Sequence, residues 1–104
     1  MMHEALSLLG LAARARKVAD GEFKALEAIK KKKACLILLA KDASENTAKK
    51  FRDKAAYAKI PVMECASMEL LGRAIGKDDR AVIALLDRGF GEALQAKLQD
   101  APLE

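Results

Sequence analysis

Two continuously apolar six-residue runs, 35–40 (CLILLA) and 81–86 (AVIALL), constrain this chain more than any other feature. Each is too short for a buried helix and lacks the alternation of a half-exposed strand, so each reads as a strand covered on both faces. A sheet containing two such strands needs helices on both sides. Helical spacing supplies them. Residues 3–13 set Leu6, Leu9 and Ala13 beside Ala5, Leu8 and Ala12 on one broad face. Phe23, Leu26 and Ile29 recur at three-residue steps and predict the inward face of a second helix, with the lysines at 30–33 in its last turn. Leu70, Leu71 and Ala74 serve a helix capped by Ser67 and ending near Gly76, and Phe90, Ala93, Leu94 and Leu98 serve a final one.

Shorter strands are expected at 17–19, before an Asp20–Gly21 turn, and at 60–64, where Pro61 near the start sacrifices no needed N–H. A further helix spans about 44–58. Its N-cap has two candidates: Asp42 and Glu45 have capping-box spacing, and Ser44 competes. Helices and strands thus alternate throughout. The fold class is α/β: a three-layer α/β/α sandwich with a mixed, roughly four-stranded sheet and about five helices. At 104 residues the expectation is one domain, 1–104, with no linker or internal repeat. Aromatics are 4% and Trp is absent, so the core must be aliphatic.

Catalytic chemistry finds little to work with. Cys35 and Cys65 stand thirty residues apart with a single histidine, His3, so no zinc set can be assembled. Both cysteines read as small buried hydrophobes, although Cys65, just ahead of the helix near Ser67, leaves a mild lowering of its pKa open. No nucleophile elbow, P-loop or dinucleotide-binding glycine turn follows any strand. Asp78, Asp79 and Asp87 read as a group near one end of the 81–86 strand, ion-paired with Lys77, Arg80 and Arg88. The chain is expected to be no enzyme and to need no metal or cofactor. The N-terminal stretch lacks a basic region, and Ser7 and Gly10 break its apolar run; it reads as neither signal peptide nor membrane span, and a cytoplasmic setting fits.

Charge is unevenly spread. Residues 14–33 hold eight basic side chains against three acidic ones, a net +5 in a chain whose total is +4, so everything else sums to −1. Such a surplus suits a surface facing a polyanion, and equally a solvated helix whose lysines complement its dipole.

Three blocks in order, a Leu-Gly-Leu-Ala opening at 9–12, Asp42-Ala43-Ser44-Glu45-Asn46-Thr47, and Leu71-Gly72-Arg73-Ala74-Ile75-Gly76-Lys77, resemble the ribosomal protein L-seven-Ae family, also called L-thirty-e. The chain is most similar to its bacterial, YlxQ-like branch, from Leu6 to about Ala96. The resemblance implies the α/β/α sandwich and binding of kinked RNA duplexes, the kink-turns, through one end of the fold. The regions it implicates are 17–27, 41–49 and 72–81, and the candidate RNA-binding residues in and beside them are Arg16, Lys17, Gly21, Glu22, Lys24, Glu27, Lys41, Asp42, Glu45, Gly72, Arg73 and Lys77. Kink-turn binders carry Asn, Glu and Lys where this chain has Phe23, Lys24 and Glu27, and apolar residues where it has Lys77, Asp78, Asp79 and Arg80. Bland roles stand beside several of these: Phe23 as core, Asp42 and Glu45 as helix caps, Gly72 and Gly76 as packing and capping glycines. Lys17, Lys24, Lys41 and Lys77 have no such core explanation.

The expected function is therefore a non-catalytic RNA-binding protein of ribosomal type. It would hold ribosomal or other structured RNA by its phosphates at an end formed by Lys17, Gly21, Lys41 and Lys77. The alternative is a module that docks on ribosomal or transcription proteins, with the basic patch steering it to an acidic partner. No membrane partner is expected.

Overall fold

The computed structural model describes residues 2–99. The elements are α1 (Met2–Arg14), β1 (Val18–Asp20), α2 (Glu22–Lys30), β2 (Leu36–Leu39), α3 (Glu45–Ala58), β3 (Val62–Glu64), α4 (Met68–Ala74), β4 (Val82–Leu85) and α5 (Arg88–Gln99). The sheet order is β1-β4-β2-β3. β4 runs antiparallel to both neighbours and β2 parallel to β3. The two apolar runs are thus the central strands, and all four residues of each are buried.

Because successive strand residues face opposite sides, β2 and β4 feed two cores. Leu36, Leu38, Ile83 and Leu85 pack under α1, α4 and α5, against Leu9, Leu71 and Leu94. Ile37, Leu39, Val82 and Ala84 pack under α2 and α3, against Ala25, Ala28, Ile29, Phe51 and Ala55. Three expectations shift here. Phe23 is not inward: it is 77% exposed, on the side of α2 away from Ala25, Ala28 and Ile29. Small alanines at this spacing let α2 lie flush on the sheet, and they, not the bulkier Phe23, define the buried stripe. Leu70 is likewise exposed, with Leu71 its buried neighbour. Cys35 is half-buried, whereas Cys65 is buried.

The helix ends are set by local chemistry. Ser44 caps α3 by accepting the Thr47 N–H at 3.1 Å, so of the two candidates the serine wins. The lysines at 31–33 lie beyond α2. Where α1, α2 and α3 stop, the chain passes through left-handed residues that are basic: Arg16 (φ 62°), Lys32 (φ 59°) and Lys59 (φ 61°). Glycine is the usual occupant of such a position, because a Cβ there costs on the order of 1 kcal/mol. Lys59→Gly is therefore expected to stabilise the protein by about 1 kcal/mol in urea denaturation; an unchanged or lowered midpoint would show that Lys59 carries no such strain.

Candidate nucleic-acid interface

β1, β2 and β3 point the same way and β4 the opposite way. One end of the sheet therefore gathers the turns leading into α2, α3 and α4 and the loop that enters β4. Three helix N-termini open on this rim, bringing positive dipole ends together. Ser44 and Ser67 cap two of them, Ser67 accepting the Leu70 N–H at 3.1 Å. The third, at Gly21, has no side-chain cap. Gly21 sits at φ 92°, a conformation that other residues rarely adopt, and its own N–H donates to the Val82 carbonyl at 2.9 Å, tying the turn to the start of β4.

The rim is braced by two polar linkages. Arg80 Nε donates to Asp20 Oδ2 at 2.8 Å, and its Nη1 donates to the carbonyls of Asp78 and Asp79 at 3.0 Å. Both side chains are largely buried, 26% and 14% exposed. Burial alone would raise the Asp20 pKa, but the Arg80 hydrogen bond and charge, with Lys24 adding to them, outweigh it and hold the carboxyl below its ordinary 3.8. On the other side, buried Thr47 donates from Oγ1 to Glu22 Oε2 at 3.0 Å, and Lys50 lies 3.7 Å from Oε1 of the same carboxylate. Glu22 thus locks α2 to α3. Between these braces a hollow of about 540 Å³ opens, lined in part by Gly21, Phe23, Lys24, Met68 and Arg80.

The implicated residues separate into groups. Gly21, Glu22, Lys24, Lys41, Asp42 and Glu45 come together at this rim, with Phe23 exposed among them. Asp42 is a cap, though not of its own helix: its Oδ1 accepts the Met68 N–H of α4 at 2.8 Å. Gly72 is buried, and its role is packing, since a Cβ there would lie 1.9 Å from the Asp78 carbonyl oxygen. Lys77 lies beside Gly72, whose carbonyl accepts its N–H at 2.8 Å, and Arg73 pairs with Glu69 on the outer side of α4. Glu27 points along α2 to Lys31, 3.2 Å away.

Arg16 and Lys17 are elsewhere. Lys17 precedes β1 and its carbonyl accepts the Leu86 N–H, which puts it at the far end of the sheet from Gly21. No single end holds Lys17, Gly21, Lys41 and Lys77. Asp78 and Asp79 lead into β4 while Asp87 follows it, so these carboxylates lie at opposite ends of the strand; Asp87 Oδ2 accepts the Phe90 N–H, and Arg80 pairs with Asp20. Burial pushes the Cys65 thiol up to about 11 against the pull of Lys41, which removes the lowered pKa left open for it. Asp20, Thr47 and Arg80 fall within the implicated regions, but sequence reasoning missed their bracing roles, because their partners lie 25 and 60 positions away, beyond any local signal.

Helices on both faces of a mixed four-stranded sheet, of order β1-β4-β2-β3, define a class of small α/β/α sandwich proteins. The chain belongs to the Ribosomal protein L7Ae/L30e/S12e/Gadd45 family, whose model it matches over residues 3–95, and within it stands with the YlxQ proteins. It is 51% identical over 87 residues to RNA-binding protein YlxQ of Bacillus subtilis (strain 168), covering 84% of this chain and 87% of that one. To RNA-binding protein YlxQ of Enterococcus faecium it is 40% identical over 89 residues, covering 86% and 85%. A solved structure of a protein with unknown function from Bacillus halodurans C matches with a TM-score of 0.89 and 43% identity, over 92% of this chain and 97% of that one. The Giardia lamblia 15.5kD RNA binding protein shares the fold, with a TM-score of 0.80 at 20% identity, over 94% and 88%. Among the described residues no helix is long and apolar enough to cross a membrane.

Proposed function

We propose that this chain is a non-enzymatic RNA-binding protein that takes structured, kinked RNA on the rim formed by the openings of α2, α3 and α4. The carrying observation is the uncapped α2 N-terminus at Gly21 with Phe23 exposed beside it. Backbone N–H groups at such a terminus suit a phosphate, and the lack of a glycine side chain lets a second backbone approach. Phe23 offers a stacking face to a base unstacked by the kink, and Lys24 and Lys41 add charge at either side. Ribosomal RNA is one such target. The reading places the protein in the cytoplasm, where Cys35 and Cys65 stay thiols. The two YlxQ relatives are named as RNA-binding proteins and the family as one of ribosomal proteins, which supports a role without catalysis.

Fluorescence anisotropy against a kink-turn RNA and an equally long straight duplex tests this. Wild type should prefer the kinked RNA, and Phe23→Ala should weaken that complex by about ten-fold or more. Equal affinity for both RNAs in wild type, or an unchanged complex in the variant, would count against the rim.

A further inference from the structure

The positive surplus of this chain does not lie on the rim. There Lys24, Lys41 and Lys77 are offset by Asp42, Glu45, Asp78 and Asp79, while Lys50 and Arg80 are taken up by Glu22 and Asp20. At the opposite end, where α2 and α3 finish and α5 begins, two adjoining hollows of about 670 and 380 Å³ share Lys32, Lys59 and Ile60. Their walls carry five cations, Lys30, Lys32, Lys54, Lys59 and Arg88, and one carboxylate, Glu92. None of the five cations makes a salt bridge among the described residues. Complementing the helix ends does not account for them: the C-terminal dipoles of α2 and α3 together amount to about one negative charge. Two of the five, Lys32 and Lys59, occupy left-handed positions that glycine would fill more easily.

From this we infer a second RNA surface at the α2–α3 end, one that grips the phosphate backbone without regard to sequence. The inference rests on RNA being the partner but not on the rim being where kinked RNA sits. Tyr57, 93% exposed on the same wall, gives a face for stacking on a base or sugar. An acidic peptide could set an apolar anchor against Tyr57 and the half-buried Leu26 and Ile60, but the cations outnumber the carboxylates five to one across both hollows, a spread that suits a continuous phosphate backbone. The described body measures 29 × 28 × 26 Å, so a protein holding RNA at both ends would join two RNA segments across less than 30 Å.

The test is anisotropy of the full chain against a straight RNA duplex over a series of salt concentrations. Two variants are compared with wild type: Lys32→Gln/Lys54→Gln/Lys59→Gln, whose sites are all exposed, and Phe23→Ala/Lys24→Ala on the rim. The duplex should bind wild type with a steep log–log salt slope, and the triple variant should lose about three units of that slope and about ten-fold or more in affinity at low salt. The rim variant should keep most of the duplex affinity; its loss of kink preference reports separately on the proposed function. Equal slopes for wild type and the triple variant would overturn the second surface. So would wild type that ignores the duplex while binding a polyglutamate peptide, which would make this end a protein contact.

Discussion

Gly72→Ala should cost about 3 kcal/mol, near the upper end of what overpacking does, and lower the melting temperature by about 10–20 °C. The added Cβ would lie 1.9 Å from the Asp78 oxygen, 2.5 Å from its carbonyl carbon and 3.0 Å from the Lys77 oxygen. All three are main-chain atoms, so no side chain can swing aside. The 77–80 loop would have to lift from α4, breaking the Lys77 N–H bond to Gly72 and the Arg80 N–H bond to Met68. Thermal melting followed by circular dichroism reads the effect directly. A variant melting with wild type would mean that the loop yields at no cost and that its fit against α4 is not what holds it.

Arg80→Ala should be nearly as damaging, by about 2 kcal/mol at neutral pH, because it strands the mostly buried Asp20 carboxylate without its partner. The pH dependence has a definite sign. Arg80 lowers the folded-state pKa of Asp20, so its stabilisation is complete above the unfolded value and is lost as pH falls through the lowered folded one. Urea unfolding of wild type and variant at several pH values should show a constant gap from pH 7 to about pH 5, narrowing below about pH 4. A gap as wide at pH 3 as at pH 5 would mean that the arginine acts through its two carbonyl bonds and not through the ion pair.

These two residues mark where the sequence was legible and where it was not. The central strands could be read because burial on both faces writes an uninterrupted apolar run, and it did so at 35–40 and 81–86. Helix periods located α1 to α5 to within a few residues. Phe23 misled because three-residue spacing with Leu26 and Ile29 fits a helix, whereas the buried stripe is Ala25, Ala28 and Ile29, whose two alanines are small enough to bring the helix onto the sheet. Lys17 misled through nearness in sequence. Four residues along an extended strand carry the chain about 13 Å, enough to place Lys17 and Gly21 at opposite ends of the sheet. Asp20–Arg80, Thr47–Glu22 and Asp42–Met68 were illegible for a common reason: each joins segments that only the strand order β1-β4-β2-β3 brings together.

That strand order also bears on how the molecule behaves in a crowd. Its long-buried runs sit in the middle, and the outermost strands, β1 and β3, have only three residues each. Pro61, with no N–H to offer, stands just ahead of β3, and exposed Glu64 closes it. A neighbouring chain seeking to extend the sheet would find a ledge too brief to template its pairing, and the most aggregation-prone stretches, CLILLA and AVIALL, come within its reach only if the fold opens.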